Sequence, residues 1–388
     1  MKNGYRPLLK KNLNLLKMKI RFTVLIPDAE SGHAVPVIRC LSEVKGLVVH
    51  TLSKDPKASL KYSFRSRSFR VAETDENNEL KTDFIINAIK RTNADIIFPV
   101  DEAAVDFFSK NMDQFKEIVA LPPIPSVEVF QKSINKYLLA EFLASSNIPS
   151  PETIFAGKST EFYSKLKNMH FPVLAKPAIG NGGIGIRSLK NYEKAEKFFK
   201  EEMNGCYGDY VAQEFIDGYD IDCSILCQDG EIVAHTIQRG IIPRSRSFAA
   251  PGGIQFLKND DLFNVVKKFV KEIKYNGIAH IDLRYDNLTK TYKILDVNAR
   301  YWGSLTGSLL AGVNFPYLAC LMAKGMPFKK PEFNNCFYTD HITATRKLIR
   351  GIFHKSDQKI RFKETDYKYI LQDPVAEIYN IFRRKANR

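Results

Sequence analysis

The chain has 388 residues, of which 44% are hydrophobic and 26% charged, a composition typical of a soluble globular protein with two or three domains. Its formal net charge of +15 is concentrated at the two ends. Residues 1–21 contain seven basic and no acidic side chains, and residues 341–388 contain twelve basic against five acidic ones. Since the central part has no basic stripe and no recognisable reader module, the sequence argues against a nucleic-acid partner.

Residues 20–125 follow a basic segment at residues 1–19 and alternate strand and helix patterns, which predicts a small parallel α/β domain. This stretch has neither a dinucleotide-binding glycine fingerprint nor a GxxxxGK[ST] phosphate loop. Asp101 and Glu102 follow its last strand, at the end of the sheet where open α/β sheets bind ligands. They could contact a substrate or cap the following helix, and the sequence does not distinguish these roles. The basic and aromatic loop at residues 54–70 fits a solvated connector better than a substrate contact.

A lysine at the end of an apolar strand precedes a glycine-rich loop in FPVLAKPAIGNGGIGI, residues 171–186. Lys176 supplies a compact positive charge of the kind that suits a nucleotide phosphate. The loop contains four glycines, Gly180, Gly182, Gly183 and Gly185. Glycines let a backbone come close to a polyanion, so that several N–H groups can bind its oxygens. The pattern predicts a phosphate-binding loop, although a tight hairpin would have the same composition.

Residues 279–300, AHIDLRYDNLTKTYKILDVNAR, predict a β-hairpin of two alternating strands around a polar turn. This register places Asp282 directly opposite Asp296, with Asn298 two residues further and therefore on the same face. Two carboxylates and a carboxamide oxygen are hard ligands, which suit Mg²⁺ (or Mn²⁺) bridging nucleotide phosphates. Arg300 lies on the same face and is placed to hold an anionic group beside the metal. An ordinary solvated hairpin is the alternative.

Together these segments resemble the ATP-grasp superfamily, most closely its carboxylate–amine ligase and carbamoyl-phosphate-synthase-like members. The resemblance extends from about Ser126 to Gly325 and is looser over residues 20–125. It implies an α/β protein whose catalytic part is α+β, with a two-lobed ATP-grasp domain after the N-terminal domain. The expected divisions are a linker helix and small lobe at residues 126–212, a large lobe with the metal site at residues 213–335 and a basic C-terminal segment at residues 336–388.

The resemblance also implies which residues bind ATP and metal. Lys136 and Lys176 match the family's two phosphate-contacting lysines. The motif YVAQEFIDGYDID resembles the adenine-binding hinge, with Gln213, Glu214 and Ile216 at the base and Asp220 at the ribose. The metal positions fall on Asp282, Asp296 and Asn298, and Arg300 matches the arginine that follows them.

Two residues depart from the family pattern at the metal site. The family usually has Glu-x-Asn followed by proline, whereas this chain has Asp296 in place of the glutamate and Ala299 in place of the proline. An aspartate is one methylene shorter, so its carboxylate reaches less far toward a pair of metal ions.

The activity implied is ATP-dependent amide formation, in which a substrate carboxylate becomes an acyl phosphate that an amine then attacks. Arg300 and Lys176 are the catalytic candidates, and Arg244 or Arg246 are weaker candidates for holding the carboxylate. A bicarbonate-activating enzyme of the carbamoyl-phosphate-synthase type would share every nucleotide residue. A non-catalytic ATP-binding module is a further alternative, favoured by aspartate at position 296.

Residues 305–323 are uncharged but are interrupted by Asn314 and Pro316, which read as a helix N-cap and a first-turn proline. They therefore predict a buried helix rather than a transmembrane span. The six cysteines have no metal-ligand spacing, and the N-terminus has no hydrophobic signal core, so the cytoplasm is the expected location.

The basic ends leave the macromolecular partners open. Weak attachment to an anionic membrane surface fits them, solubility tails without a partner fit as well, and a homodimer is a further alternative. If the C-terminal segment is instead structural, the side chains expected to pack are Ile349, Phe353, Ile370, Leu371, Ile378 and Phe382.

Overall fold

The computed structural model describes six stretches of the chain, residues 21–156, 160–180, 182–203, 210–244, 248–353 and 360–386. The basic segment at residues 1–19 and Arg246 lie outside the described residues. Three sheets organise the described part, with four, six and four strands.

The N-terminal domain is built on the four-stranded parallel sheet, with strand order β3-β2-β1-β4. Its elements are β1 (Phe22–Ile26), α1 (Ala34–Ser42), β2 (Leu47–Ser53), a 3-10 turn (Ser59–Tyr62), β3 (Ser68–Val71), α2 (Thr82–Thr92), β4 (Ile96–Ile97), α3 (Glu102–Lys110) and α4 (Met112–Phe115). The predicted parallel α/β domain is confirmed. The loop at residues 54–70 is more than the expected connector, because Leu60 in its 3-10 turn is buried in the core and β3 extends the sheet edge.

The small lobe is an antiparallel sheet with strand order β5-β8-β6-β7. Its elements and the helices that lead into it are α5 (Val127–Ile134), α6 (Lys136–Ser145), β5 (Thr153–Ala156), α7 (Thr160–Asn168), β6 (Val173–Pro177), β7 (Arg187–Leu189), α8 (Tyr192–Met203) and β8 (Tyr210–Glu214). It has a separate apolar core, in which Phe162 and Phe199 pack edge to face. A lobe with its own core can keep its shape while its position relative to the large lobe changes.

The large lobe contains the six-stranded sheet, with strand order β13-β12-β9-β10-β11-β14. Its elements are β9 (Gly218–Gln228), β10 (Glu231–Ile242), β11 (Gly253–Phe256), α9 (Asp260–Ile273), β12 (Gly277–Asp286), β13 (Tyr292–Asn298), α10 (Leu305–Leu310), α11 (Phe315–Ala323) and β14 (Phe337–Thr339). Two short buried helices occupy the apolar stretch, and the side chain of Asn314 caps α11 as predicted. Among the described residues, no helix combines the length and apolar character that a membrane crossing requires.

The C-terminal elements are α12 (His341–Phe353), a second 3-10 turn (Phe362–Glu364), α13 (Tyr367–Gln372) and α14 (Pro374–Ala386). Buried ion pairs attach them to the N-terminal domain: Arg39 of α1 lies 2.8 Å from Asp366 and 3.4 Å from Glu377. The apolar packing expected here is wrong for the side chains whose exposure is described. Ile370 is only half-buried, and the others are exposed, namely Ile349, Leu371, Ile378 and Phe382.

Candidate functional site

The predicted hairpin of β12 and β13 is confirmed, and Asp282 lies directly opposite Asp296. The next pair on the same face joins His280 to Asn298. A bulge just beyond Asp282 leaves Leu295 without a partner in the ladder, so the register toward the turn is shifted by one residue. The pairing next to the turn is one residue out of the predicted register, and the bulge offsets that difference, so the carboxylate pair has the predicted alignment.

The acidic face is larger than the hairpin, because β9 pairs with the other edge of β12 and places Asp222 beside Asp282. The nitrogen Nε2 of His280 lies 3.5 Å from Asp282 Oδ1 and 3.8 Å from Asp222 Oδ2. Its other nitrogen, Nδ1, is hydrogen-bonded to the hydroxyl of Ser224 at 2.9 Å. Asp222 and His280 are additions to the predicted site. The period of two on each strand could have found them, because His280 precedes Asp282 by two and Asp222 follows Asp220 by two.

Burial and mutual repulsion perturb the titration of this face. The pKa of the Asp282 carboxyl is raised to about 7, first by burial and then by the neighbouring charge of Asp296. The pKa of His280 is lowered to about 3 by burial and by Arg300, so the imidazole is neutral at neutral pH. A neutral imidazole cannot neutralise the carboxylates, and the face therefore favours a bound cation.

The donor set fits a hard divalent cation, since carboxylate oxygens dominate it. Asn298 completes the set only if its amide turns over. Its nitrogen Nδ2 lies 3.4 Å from Asp282 Oδ2, while its oxygen accepts a hydrogen bond from Arg300 Nη2 at 2.8 Å. Turning the amide would direct its oxygen toward the metal face.

Lys136 links the metal face to the glycine-rich loop. It is the first residue of α6, which Asn135 caps through its side chain, and only 6% of it is exposed. Its ammonium lies 3.0 Å from Asp296 Oδ2 and donates a hydrogen bond to the carbonyl of Gly180 at 2.9 Å. One buried cation thus contacts both the hairpin and the loop that are expected to meet the phosphates.

Lys176 lies at the end of β6, and its ammonium donates to the side-chain oxygen of Gln213 at 2.6 Å. Burial lowers the pKa of Lys176 to about 8, and the charge of Asp296 opposes that shift. Asp296 is thus ion-paired with Lys136, and its charge also acts on Lys176.

Positive φ angles occur at all four loop glycines, whereas Asn181 lies outside the described residues. Gly183 has a φ of +71°, and a Cβ there would lie 2.3 Å from the carbonyl oxygen of Phe248. Phe248 follows β10 in the large lobe, so the loop spans the cleft to the opposite lobe. Gly182 has a φ of +64°, and a Cβ there would have no described atom within 4 Å beyond its chain neighbours. Close approach therefore requires glycine at position 183, while backbone conformation alone favours it at position 182.

The proposed hinge residues lie between the lobes, with Gln213 and Ile216 buried. Glu214 lies 3.4 Å from the ammonium of Lys293 and accepts a hydrogen bond from the backbone of Glu152 at 3.2 Å. Arg284 forms an ion pair with the carboxylate of Asp220 and donates to the carbonyl of Ile216 at 2.7 Å. A ribose at Asp220 would have to share that carboxylate with the guanidinium.

Arg300 connects the metal face to the N-terminal domain. Its Nε lies 3.4 Å from Glu102 and 3.6 Å from Asp101, and it has no hydrogen-bond partner among the described residues. Asp101 also caps α3 and accepts a hydrogen bond from Ser31. It therefore combines helix capping with a position beside Arg300. Half-buried His33 also lies at this junction, and desolvation and the charge of Arg300 lower its pKa to about 4.

Two buried lysines and a glycine-rich loop on one lobe, facing an acidic hairpin on the other, define a two-lobed nucleotide-binding protein. A family model described as an ATP-grasp domain matches residues 133–304. Residues 133–304 thus match the ATP-grasp domain family, and the resemblance predicted from the motifs is confirmed over this part of the chain.

Curated relatives are similar over parts of the chain. A carbamoyl-phosphate synthase of Methanobrevibacter smithii is 25% identical over 219 residues, which cover 54% of this chain and 58% of the relative. A D-aspartate ligase of Enterococcus faecium is 21% identical over 335 residues, covering 79% of this chain and 77% of the ligase. The chain thus spans little more than half the length of the first of these relatives.

Solved structures show the same fold. An ADP complex of N5-carboxyaminoimidazole synthetase from Staphylococcus aureus superposes with a TM-score of 0.66 at 15% identity, covering 87% of each chain. The biotin carboxylase domain of the Hydrogenobacter thermophilus 2-oxoglutarate carboxylase, determined with MgADP, ADP and bicarbonate, gives a TM-score of 0.64 at 17% identity, with 82% of this chain and 74% of the other covered. The fold therefore extends beyond the matched domain into the N-terminal part.

Proposed function

We propose that the protein is an ATP-dependent carbon–nitrogen ligase that joins a small-molecule carboxylate to an amine through an acyl phosphate. The observation that carries the proposal is the position of Lys136, whose ammonium contacts both Asp296 on the hairpin and the carbonyl of Gly180 in the loop. A nucleoside triphosphate bound beside these groups would contact the lysine, the loop and the metal face at the same time. The similarity to a D-aspartate ligase supports a carboxylate and an amine as substrates.

In the proposed reaction, the chain's own residues bind and neutralise the transferring phosphoryl group. Lys136 and Lys176 would balance charge on the phosphates, while the backbone N–H groups of the loop would donate to their oxygens. Gln213, Glu214 and Ile216 would surround the base, and Asp220 would bind the ribose in competition with Arg284. Low dielectric around the two buried lysines strengthens their interaction with phosphate.

Asp282, Asp296 and Asn298 would hold Mg²⁺ or Mn²⁺. When bound, the divalent cation would neutralise phosphate charge and orient the terminal phosphoryl group. Two features limit the number of ions that this face would hold. The side chain of Asp296 is shorter than the usual glutamate, and the oxygen of the Asn298 amide is directed toward Arg300.

The acceptor carboxylate is assigned to the junction around Arg300. This guanidinium lies between the metal face and the N-terminal domain, where a carboxylate could approach the terminal phosphate. His33, neutral at this junction, is available to accept or donate one hydrogen bond. Arg244 is less suited, because it is half exposed and its Nη2 lies 2.9 Å from Asp340. Arg246 lies outside the described residues and is not assigned a role.

A bicarbonate-activating enzyme is the second candidate, favoured by the similarity to a carbamoyl-phosphate synthase. Either enzyme would work in the cytoplasm, where ATP is abundant and where the free thiols of the described cysteines would stay reduced.

Turnover of ATP with pooled carboxylates and amines, followed by mass spectrometry of the products, tests the proposal. We expect phosphate release that requires both an organic acid and an amine, with an amide as the product. Lys136→Ala should abolish it, whereas Lys132→Ala, at an ion-paired lysine on the surface of α5, should retain it. Phosphate release with bicarbonate and an amine alone would select the second candidate, and no turnover with any pool would contradict both.

A further inference from the structure

Exposed apolar side chains follow one face of the two last helices. Leu371 at the end of α13 is 71% exposed, and Val375, Ile378 and Phe382 on α14 are 41%, 52% and 67% exposed. The three residues of α14 are spaced by three and four positions, which places them on one helical face. We call these four residues the apolar stripe.

The helix that carries the stripe is firmly attached through its opposite face. Ala376 is buried, and Glu377 is buried against Arg39 and His341. Tyr379 packs on Tyr62, with ring centroids 4.6 Å apart. The stripe is therefore the outward face of a docked helix, and its exposure does not result from a loose chain end.

The basic and aromatic loop of the N-terminal domain contacts the junction between the two helices that carry the stripe. The backbone N–H of Phe64 donates to Asp373 Oδ1 at 3.0 Å, at the junction of α13 and α14, while the Phe64 side chain is 72% exposed. Lys61 in the same loop is exposed, with its ammonium 5.8 Å from the centre of the Tyr62 ring. An exposed aromatic and an exposed basic side chain of this loop therefore lie in a segment that is hydrogen-bonded to the junction of α13 and α14.

Charge decides which partner fits this surface. Residues 341–388 carry twelve basic side chains against five acidic ones. Arg383, next to Phe382, is ion-paired with Asp55, and Arg384 and Lys385 follow it in the sequence. Apolar side chains bordered by lysine and arginine are the pattern of helices that lie in the interface of an anionic bilayer. A second copy of this chain would bring the same positive charge to the contact and be repelled.

We propose that the apolar stripe and Phe64, with the basic residues around them, form a docking surface for an anionic lipid bilayer. The apolar side chains enter the headgroup boundary, and the basic side chains contact the acidic headgroups. The buried ion pairs of α13 and α14 keep the surface in place, so docking requires no rearrangement of the enzyme. Activity would then be exerted at a membrane surface.

Co-sedimentation of the full-length protein with vesicles tests the proposal, using phosphatidylcholine alone and phosphatidylcholine mixed with phosphatidylglycerol. We expect binding to the anionic vesicles only, fading between about 0.05 and 0.5 M salt as the Debye length shortens from above 10 Å to about 4 Å. The triple variant Leu371→Ser, Ile378→Ser, Phe382→Ser should bind at least about tenfold more weakly, because apolar contact with the interface is lost. Since all three side chains are exposed, it should fold and keep its ATP affinity.

The control is Leu288→Ser together with Ile118→Ser, which removes two exposed apolar side chains elsewhere and should bind like the unmodified protein. Three results would overturn the proposal. The first is no binding by the unmodified protein at low salt. The second is unchanged binding by the triple variant, which would place binding in the basic ends alone. The third is a dimer in light scattering that becomes a monomer in the triple variant, while the unmodified protein does not bind vesicles. The stripe would then pair two copies of the chain.

Discussion

The ammonium of Lys136 lies 3.0 Å from the carboxylate of Asp296, across the boundary between the helix that leads into the small lobe and the hairpin of the large lobe. Both groups are largely buried, with side chains 7% and 17% exposed. Removing one partner would leave the other charge buried without compensation. Asp296 therefore balances a lysine before any cation is bound, which makes its charge central to the site.

Asp296→Asn tests that centrality. We expect turnover to fall at least about tenfold, because a neutral amide balances neither Lys136 nor a divalent cation. Asp296→Glu restores the residue usual in the family and should retain or increase turnover. Steady-state phosphate release at saturating ATP measures both variants, and circular dichroism checks that each folds. Unchanged turnover with asparagine would show that the hairpin is not the metal site.

Lys176→Ala should weaken ATP binding by about 1.5–3 kcal/mol, the range for a hydrogen bond to a charged group. The lysine is buried, and its ammonium donates a hydrogen bond to the side-chain oxygen of Gln213. Isothermal calorimetry gives the affinity, and Lys190→Ala, at an exposed lysine after β7, is the control. Equal affinities of a folded Lys176→Ala variant and the unmodified protein would remove the phosphate role.

Gly183→Ala and Gly182→Ala form a matched pair. Both glycines have positive φ, so alanine at either one costs about 1–2 kcal/mol in backbone strain. Only at position 183 would the new methyl group collide with the Phe248 carbonyl, at 2.3 Å. We expect ATP affinity to fall further for Gly183→Ala, because the loop loses its contact with the large lobe. Equal losses in the two variants would show that the contact does not matter for binding.

Arg300→Lys should lower turnover at least about tenfold while ATP affinity changes less than about threefold, because an ammonium cannot reproduce the planar fork. The guanidinium donates at once to Asn298 and to the backbone of Tyr301 and faces Glu102. Comparing kcat with the calorimetric affinity separates the two effects. A parallel loss of ATP affinity would place Arg300 at the nucleotide rather than at the acceptor.

Stability should decline as pH rises from about 6.5 to 9. Hydrogen bonds to Asp366 and Glu377 overcome burial and raise the pKa of His341 to about 9. A group whose pKa is raised in the folded state contributes its full stabilisation below its unfolded-state pKa. That contribution is lost as the pH rises through its folded-state pKa. The contribution is about 1–3 kcal/mol by linkage. At the acidic end, the pKa of Asp366 is lowered in the folded state. Its carboxylate therefore stabilises the fold at pH values above its unfolded-state pKa, and this contribution is lost as the pH falls through its folded-state pKa.

Thermal melts across this range measure the effect. His341→Gln should flatten the decline between pH 6.5 and 9, whereas His170→Gln, at an exposed histidine, should leave it in place. A decline that persists in His341→Gln would assign it to other groups.

Local periodicity determined a large part of this protein from sequence. The alternation of residues predicted the hairpin of β12 and β13 and the shared face of Asp296 and Asn298. The pairing of Asp282 with Asp296 also needs the bulge, because the register at the turn alone would place Leu295 opposite Asp282. The capping of α11 by Asn314 and the parallel α/β character of the first domain follow from equally local signals. These features depend on residues close in the chain, where geometry leaves few choices.

Only the tertiary structure decided what lies beside these elements. Asp222 joins the acidic face because β9 pairs with the far edge of β12, and the linear pattern does not specify which strand pairs there. Arg300 meets Asp101 and Glu102 across about 200 residues of chain, and Arg39 is buried against Asp366 across still more. Such contacts depend on how whole elements pack, a choice set by the summed burial of many side chains rather than by any local motif.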